Sequence, residues 1–273
     1  MKRVGVLGAT SLVGSCLLPM LASSGFKVTA FSRSRVEPTA DGIEWLQPGG
    51  RQEIPAWISL APVWTVSGHF GMLEKSGVRR LVVLSSTSRY TKSDSADPRE
   101  RETARLLVEA EERVKSWAES LGVSWMILRP TLIYGMGRDR NVSEIARLTR
   151  RFRFFPLLGD ARGLRQPVHA CDVASSCIRA LETGISNRAY DISGGETLPY
   201  REMVARIFEA QGMNPRFIRI PLFAFRLALL MKPSWSPSMV ERMNRDLVFD
   251  HGDAGQDLDF RPRRFSLTPA DLP

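Results

Sequence analysis

Short apolar runs alternate along this chain with longer amphipathic stretches, in the rhythm of strand, helix, strand. Residues 4–7 are an apolar run ending at Gly8, and residues 13–22 then carry helical periodicity. Residues 27–31, entered from Gly25 and containing β-branched Val28 and Thr29, read as a second strand. Further strands are expected over 57–61, 81–84 and 125–128, and helices over 66–76 and 98–121, closed by Gly77 and Gly122. The 81–84 run is almost purely apolar, as a strand buried on both faces must be. On the long helix, Leu107, Val114, Trp117 and Leu121 line the apolar face. Strands separated by helices cross over and run parallel, so the pattern predicts an α/β fold built on a doubly wound parallel sheet.

After residue 150 the rhythm gives way to Arg-rich, Pro-containing segments around shorter helices. The expected organisation is one domain over 1–150 and a smaller C-terminal substrate or partner lobe over 151–273, with 166–195 returning to the first core. Aromatic and aliphatic residues dominate that lobe over 152–158, 200–212, a helix over 217–231, and 235–249, with Met231, Met239 and Met243 adding adaptable surface. Most of these residues serve ordinary packing; the remainder suits an apolar pocket or a hydrophobic contact with another protein better than a very polar sugar site. The 217–231 stretch is too short to span a bilayer and contains Arg219, Pro221 and Arg226, so no membrane span is expected.

Charge and cysteine content narrow the class further. Lys+Arg of 38 against Asp+Glu of 29 leaves +9, but the basic residues are scattered and form no long stripe. That argues against nucleic acid and reads as a solvated surface that also suits phosphate-bearing ligands. Cys16, Cys171 and Cys177 form no Cys-x-x-Cys, and His69, His169 and His251 have no paired-ligand spacing, so no metal site is expected. Three buried thiols in a reducing cytosol follow, and the start Met1-Lys2-Arg3, running straight into a strand, is no signal peptide. The expected location is cytoplasmic. No Gly-x-Ser-x-Gly nucleophile elbow occurs.

The sharpest chemical signal is the first turn, Gly8-Ala9-Thr10-Ser11-Leu12-Val13-Gly14. A strand entering a tight turn and then a helix N-terminus presents free N–H groups and the positive dipole end to a diphosphate. Gly8 permits the turn and Gly14 lets helix and strand approach, so Gly8, Thr10, Ser11, Leu12, Val13 and Gly14 are expected against a dinucleotide on a Rossmann fold. The second strand ends in Ser32-Arg33-Ser34-Arg35, and the first carboxylate is Glu37. NAD sites place Asp or Glu at that strand end, whereas guanidinium and hydroxyl groups suit a 2′-phosphate. NADP(H) is therefore expected over NAD(H), through Ser32, Arg33 and Arg35.

From these residues onward the sequence resembles the extended and atypical short-chain dehydrogenase/reductases, the NAD(P)-dependent epimerase/dehydratase family. The first-turn segment is similar to that family's Gly-x-x-Gly-x-x-Gly loop, with Ser11 in place of the middle glycine. Leu84-Ser85-Ser86-Thr87-Ser88-Arg89-Tyr90 resembles the strand end where the family keeps a catalytic Ser or Thr four residues before a Tyr, which implies that role for Ser86. Leu128-Arg129-Pro130-Thr131-Leu132-Ile133-Tyr134-Gly135 is similar to the Arg-Pro-x-x-x-Tyr-Gly segment bordering the nicotinamide. The resemblance thus implies cofactor contacts at Ala61, Ser85, Arg129, Pro130 and Thr131, and a substrate contact at Tyr134. Arg165 in Arg165-Gln166-Pro167-Val168-His169-Ala170-Cys171-Asp172 matches the arginine that contacts the diphosphate of a nucleotide-sugar, an ion pair with an acidic neighbour being the structural alternative. His169 and Asp172 are expected to orient the following helix, with Asp172 at its N-cap. Arg138 and Arg140 are expected to face an anionic substrate or solvent.

The departure is at the catalytic pair. The family uses Tyr-x-x-x-Lys on one helix face, and none of Tyr90, Tyr134, Tyr190 or Tyr200 is followed by a lysine at that spacing. Counting back from Arg129, the pair's positions fall near Thr103 and Leu107. Tyr90 as a relocated acid, hydride transfer assisted by Ser86 and Thr87 with a substrate or solvent proton, and cofactor binding without turnover all remain open. So does a scaffold that has lost its cofactor through Ser11. The reading is an NADP(H)-binding oxidoreductase or epimerase/dehydratase-like protein acting on a small molecule, the alternative being a non-catalytic NADP(H)-binding regulatory or assembly protein.

Overall fold

The parallel sheet expected from the apolar runs is present in the computed structural model, which describes residues 2–32, 42–47, 53–220 and 243–273. Its first half runs β1 (Arg3–Leu7), α1 (Leu12–Ser23), β2 (Lys27–Phe31), β3 (Ile43–Leu46), β4 (Ala56–Ser59), α2 (Phe70–Lys75), β5 (Arg80–Leu84), α3 (Ser88–Thr91), α4 (Pro98–Ser120) and β6 (Ser124–Pro130). There follow β7 (Ile133–Tyr134), α5 (Val142–Phe152), β8 (Phe155–Leu158), β9 (Leu164–Arg165), β10 (Val168–His169), α6 (Ala170–Glu182), β11 (Arg188–Ile192), β12 (Leu198–Pro199), α7 (Tyr200–Ala210), β13 (Phe217–Ile220) and α8 (Gly252–Leu258). Seven strands form one sheet in the order β11-β6-β5-β4-β1-β2-β3, with every neighbouring pair parallel. This is the doubly wound Rossmann arrangement, in which ligands lie outside the carboxyl ends of the strands.

Each face of the sheet carries its own core. On one, α1 and α6 cover Val4, Val6, Val28, Ile58, Val82 and Met126. On the other, α4 and the helical turns of residues 63–75 cover Leu7, Trp57, Leu81, Val83 and Ile127. Alternate residues of β1 and β5 point to opposite cores, which is why those strands read as continuous apolar runs. A third cluster gathers Tyr134, Val142, Phe155, Leu157, Met203, Phe208 and Phe265 between α5, α7 and β8. There Phe217–Ile220 pairs with β8 as a parallel strand.

Several expectations need correction. The helix expected over 66–76 is a 3-10 turn over Val63–His69 followed by α2, with Gly68 and Gly71 weakening a continuous helix. The 217–231 helix begins instead as strand β13, because residues 217–220 pair in parallel with β8; residues 221–231, like most of 235–249, lie outside the described residues. Leu121 is the exposed C-cap of α4, and Trp117 lies half-buried on Phe70, ring centroids 4.2 Å apart. Packing of α1 against α6 brings Cys16 and Cys171, 155 residues apart in sequence, into a disulfide with Cα atoms 5.1 Å apart. Only Cys177 is a free thiol, and burial pushes its pKa up. Three free thiols thus become one. Among the described residues no helix is long and apolar enough to cross a membrane, and no metal-ligating cluster occurs.

Candidate functional site: a dinucleotide edge and an adjoining cleft

The turn from β1 into α1 is shaped by two glycines. Gly8 has φ of 71°, and a Cβ there would stand 2.5 Å from the Ala61 nitrogen. A Cβ on Gly14 would collide with the Ala9 carbonyl. Neither obstacle can swing away, since both are backbone. Ser11 is the N-cap of α1, its hydroxyl accepting the Gly14 N–H at 3.1 Å. Leu12 and Val13 therefore keep first-turn N–H groups that helix geometry leaves without intrahelical partners. Thr10 is exposed at the lip, Ala61 faces the turn from the next strand, and no acidic side chain occupies the first turn of α1. Ser32 closes β2 by giving its N–H to the Leu46 carbonyl, and Arg33 and Arg35 lie outside the described residues.

At the carboxyl ends of β5 and β6 the arrangement is different. Glu111 of α4 is wholly buried and is bonded by Arg89, by Arg129 (Nη2 at 2.6 Å) and by the Ser85 hydroxyl. Arg129 also donates to the Tyr90 hydroxyl at 2.7 Å, and Asp191 stands at the edge of the group. Burial raises the Tyr90 phenol despite the neighbouring Arg129 and Arg89, so it stays protonated at neutral pH. Ser85 and Arg129, expected at the cofactor, are thus engaged by Glu111. Pro130 accepts the Thr87 N–H and hydroxyl, and Thr131 bonds the Ile192 and Gln166 carbonyls. Of the two positions where the resemblance would place a Tyr-x-x-x-Lys pair, Leu107 is buried in the α4 core, and the Thr103 hydroxyl bonds the Arg99 carbonyl one turn back.

Beside this corner opens a cleft of about 670 Å³ between the sheet and the C-terminal lobe. Ser86, Thr87, Lys92, Arg140 and Arg165 line it, together with an apolar wall of Leu132, Ile133, Leu148, Phe155, Met243, Leu247 and Phe249. Ser86 accepts the Ser88 N–H at 3.1 Å, and among the described residues its own proton has no acceptor. Tyr90 lies behind Phe249, ring centroids 6.0 Å apart. Tyr134 sits outside the cleft, fully buried, its hydroxyl given to the Ser266 carbonyl; burial raises it to about 12.

Arg165 is the unusual group. It is 4% exposed, and Nη1 donates to the Leu164 and Arg245 carbonyls, both at 2.7 Å. Nη2 is buried without a hydrogen-bond partner, and among the described residues no carboxylate pairs with this guanidinium. Asp246 nearby is bonded to the Leu164 N–H instead. Burial holds Arg165 down to about 10, so it is still a cation at neutral pH. The guanidinium also lies 5.6 Å from the Tyr200 ring centroid, and a buried cation with such neutral partners is costly unless an anion completes it.

His169 is the N-cap of α6, its Nδ1 accepting the Cys171 N–H while Nε2 lies 3.0 Å from Asp271. Asp172, expected as that cap, instead binds Arg263, because the helix begins two residues earlier at Ala170. Arg140 reaches the cleft, whereas Arg138 turns away to the glycine loop, Nη1 2.8 Å from Ser15 Oγ.

The comparisons with known proteins agree with this geometry. Residues 70–193 match the family model described as NAD dependent epimerase/dehydratase family. Over that segment, somewhat less than half of the chain, the sequence is similar to this family. Among solved structures the chain shares its fold with MoeE5 in complex with UDP-glucose and NAD, at TM-score 0.72 and 23% identity over 97% of this chain and 94% of that one. It is similar to the UDP-glucuronic acid 4-epimerase from Bacillus cereus in complex with NAD, at TM-score 0.72 and 14% identity over 99% and 95%. A 2-alkyl-3-oxoalkanoate reductase of Stenotrophomonas maltophilia is 31% identical over 133 residues, which cover 46% of this chain and 39% of that protein.

The residues missed in sequence had legible signals in part. Glu111 falls in the buried phase of α4 with Leu107, Val114 and Ala118, and an acidic residue in an apolar stripe announces a partner. Asp271 stands three residues after Thr268, with which it forms a capping box, but nothing local points to His169.

Proposed function

We propose that this chain binds a nicotinamide dinucleotide at the Gly8–Gly14 turn, NADP(H) in preference to NAD(H), and acts as an oxidoreductase or epimerase/dehydratase-type enzyme on an anionic small molecule with an apolar body. The tight turn that Gly8 and Gly14 permit, with the first-turn N–H groups of Leu12 and Val13 at the α1 N-terminus, fits the diphosphate of such a cofactor. When bound, the cofactor supplies hydride chemistry. Ser32 and the arginines that follow it favour the 2′-phosphate. The NAD held by MoeE5 and by the Bacillus cereus epimerase supports a dinucleotide in general.

One observation carries the substrate reading: the buried guanidinium of Arg165, without an anionic partner among the described residues, on the wall of the cleft. An anionic group of the substrate would take its open Nη2, while the Leu132–Phe249 wall receives apolar atoms. Ser86, with a proton unspent, would donate to a substrate oxygen. UDP-sugars bound by MoeE5 and the oxoalkanoate of the matched reductase are both anionic, so both classes belong in the test.

Titration with NADPH and NADH is expected to give binding, tighter for NADPH and weakened by Arg33→Ala. NADPH oxidation is then followed with UDP-sugars and 3-oxo acids. Arg165→Met is expected to weaken substrate roughly 10- to 100-fold, the worth of a charged hydrogen bond, with dinucleotide affinity unchanged. Substrate binding should also hold from pH 6 to 9 and fall as pH rises through about 10, where the guanidinium loses its proton. Equal use of every substrate by the Met variant would sink the reading. The burial of Leu107 where the family's lysine is expected favours a second reading, a dinucleotide-binding protein without turnover. A protein complex whose affinity follows NADPH, with no oxidation of any substrate, would select it.

A further inference from the structure

The loop after β7 departs from ordinary backbone geometry at three consecutive residues. Gly135, Met136 and Gly137 have φ of 123°, 56° and 61°. A methionine in the left-handed region is unfavourable by about 1 kcal/mol and persists only where its surroundings impose it. Here they do. Asp271 accepts the Met136 N–H at 3.2 Å, and a Cβ at Gly135 or Gly137 would stand 2.7 Å from His169 Nε2 or 2.6 Å from the Leu272 carbonyl.

This imposed turn carries Arg138 across to the glycine loop. Its Nη1 lies 2.8 Å from Ser15 Oγ and its Nη2 3.4 Å from the Thr10 carbonyl. Both anchors are neutral, and among the described residues no carboxylate pairs with Arg138, whereas Arg129, Arg206 and Arg263 all have ion-pair partners. Arg138 is exposed, and its charge lies beside a second positive feature. The N-terminus of α1 carries positive partial charge, and its first turn holds no acidic residue to offset it. Two positive features held together by a constrained loop gain stability from an anion seated between them.

We infer that Arg138 is a diphosphate clamp: held on Ser15 and Thr10 beside the glycine loop, it would bind the dinucleotide's pyrophosphate together with the Leu12 and Val13 N–H groups. The inference rests on the dinucleotide reading given above. It also separates the roles of two neighbouring arginines: Arg138 serves the cofactor and Arg140 the cleft. Ser11 gives the clamp a reason, since its hydroxyl already occupies the Gly14 N–H and leaves the loop fewer donors of its own.

The experiment compares wild type with Arg138→Ala, Arg138→Gln and Arg138→Lys, using NADPH, ADP-ribose and adenosine as ligands in isothermal titration. ADP-ribose keeps the diphosphate without the nicotinamide; adenosine lacks phosphate altogether. Losing the cation is expected to weaken NADPH and ADP-ribose roughly 10- to 100-fold and leave adenosine unchanged. The Lys variant should recover part of the loss and the Gln variant little. The salt dependence of ADP-ribose binding should be shallower without the charge. Thermal midpoints of the unliganded variants should match wild type, which excludes a folding effect. If Arg138→Ala and Arg138→Gln bind ADP-ribose like wild type, or lose adenosine equally, the clamp is wrong while the dinucleotide reading stands. If wild type binds none of the three, that reading falls and the clamp falls with it.

Discussion

The two ends of this sheet edge have met their electrostatic demands in opposite ways. At the β1–α1 turn, backbone N–H groups, the α1 terminus and Arg138 all present positive charge, and no acidic side chain answers them. At the β5–α4 corner, two arginines converge on Glu111, and the serine and tyrosine hydroxyls are drawn into the same group. In the first region no carboxylate among the described residues answers these groups; in the second Glu111 answers both arginines, and only Arg89 Nε there is buried without a hydrogen-bond partner. A protein that binds keeps its charges unsatisfied where the ligand goes, and satisfies them where the framework must be rigid. By that criterion the β5–α4 corner behaves as framework, while the Gly8–Gly14 turn and Arg165 are where the proposed ligands would supply the missing charge.

The contrast is broken most directly at Glu111. Glu111→Ala leaves Arg89 and Arg129 buried without their shared carboxylate, and such a loss costs about 3–5 kcal/mol. The denaturant midpoint should fall accordingly, while NADPH affinity of the folded fraction stays near wild type. A change below about 1 kcal/mol would show that the corner behaves as a solvated ion cluster, and the comparison would lose its second half.

Restoring the family's pair is the next test. Thr103→Tyr with Leu107→Lys places an ammonium where Leu107 now packs against Leu81, Val83 and Ile127 in one core. Lost apolar packing and a buried amine together are expected to destabilise by about 2–4 kcal/mol. No gain in NADPH oxidation should follow, because the side chain points into the core. A gain would mean that α4 presents position 107 to the cofactor, and that only two residues separate this chain from the usual mechanism.

At the cofactor edge, the disulfide between Cys16 and Cys171 fastens α1 to α6 beneath the glycine loop. Unfolded, unreduced protein should show one titratable thiol, and three after reduction. Opening the bond with reductant or Cys171→Ser should lower stability by about 2–4 kcal/mol. If three thiols titrate before reduction, α1 is held by packing alone.

How much of this was readable beforehand follows the same division. The glycine loop, the apolar strands and the long helix are local patterns, and each lies within two or three residues of its expected place. Ser86, Arg165 and the cleft-lining hydroxyls were reached through motifs around strand ends. What escaped depends on contacts between distant segments: Arg138 with Ser15, Asp271 with His169, Cys16 with Cys171. Those pairs are separated by roughly a hundred residues or more, and only the packing of the sheet brings them together. Glu111 lies between the two cases, since its helical phase was visible but its partners were not.

The smallest expected effect bears on the residue that departs from the family's glycine pattern. Ser11→Gly removes the α1 cap but keeps the backbone freedom of the turn, and such a change costs only a few tenths of a kcal/mol. It also frees the Gly14 N–H, now held by the Ser11 hydroxyl at 3.1 Å, for a diphosphate oxygen. A neutral hydrogen bond is worth about 1 kcal/mol, and ordering the new glycine takes back about as much, so NADPH affinity should move by no more than about threefold. A gain of more than tenfold would show that Ser11 obstructs the cofactor, and that Arg138 compensates for a handicapped loop. An equal loss would make the hydroxyl itself a ligand, and the open character of the cofactor edge would then include a side chain as well as backbone.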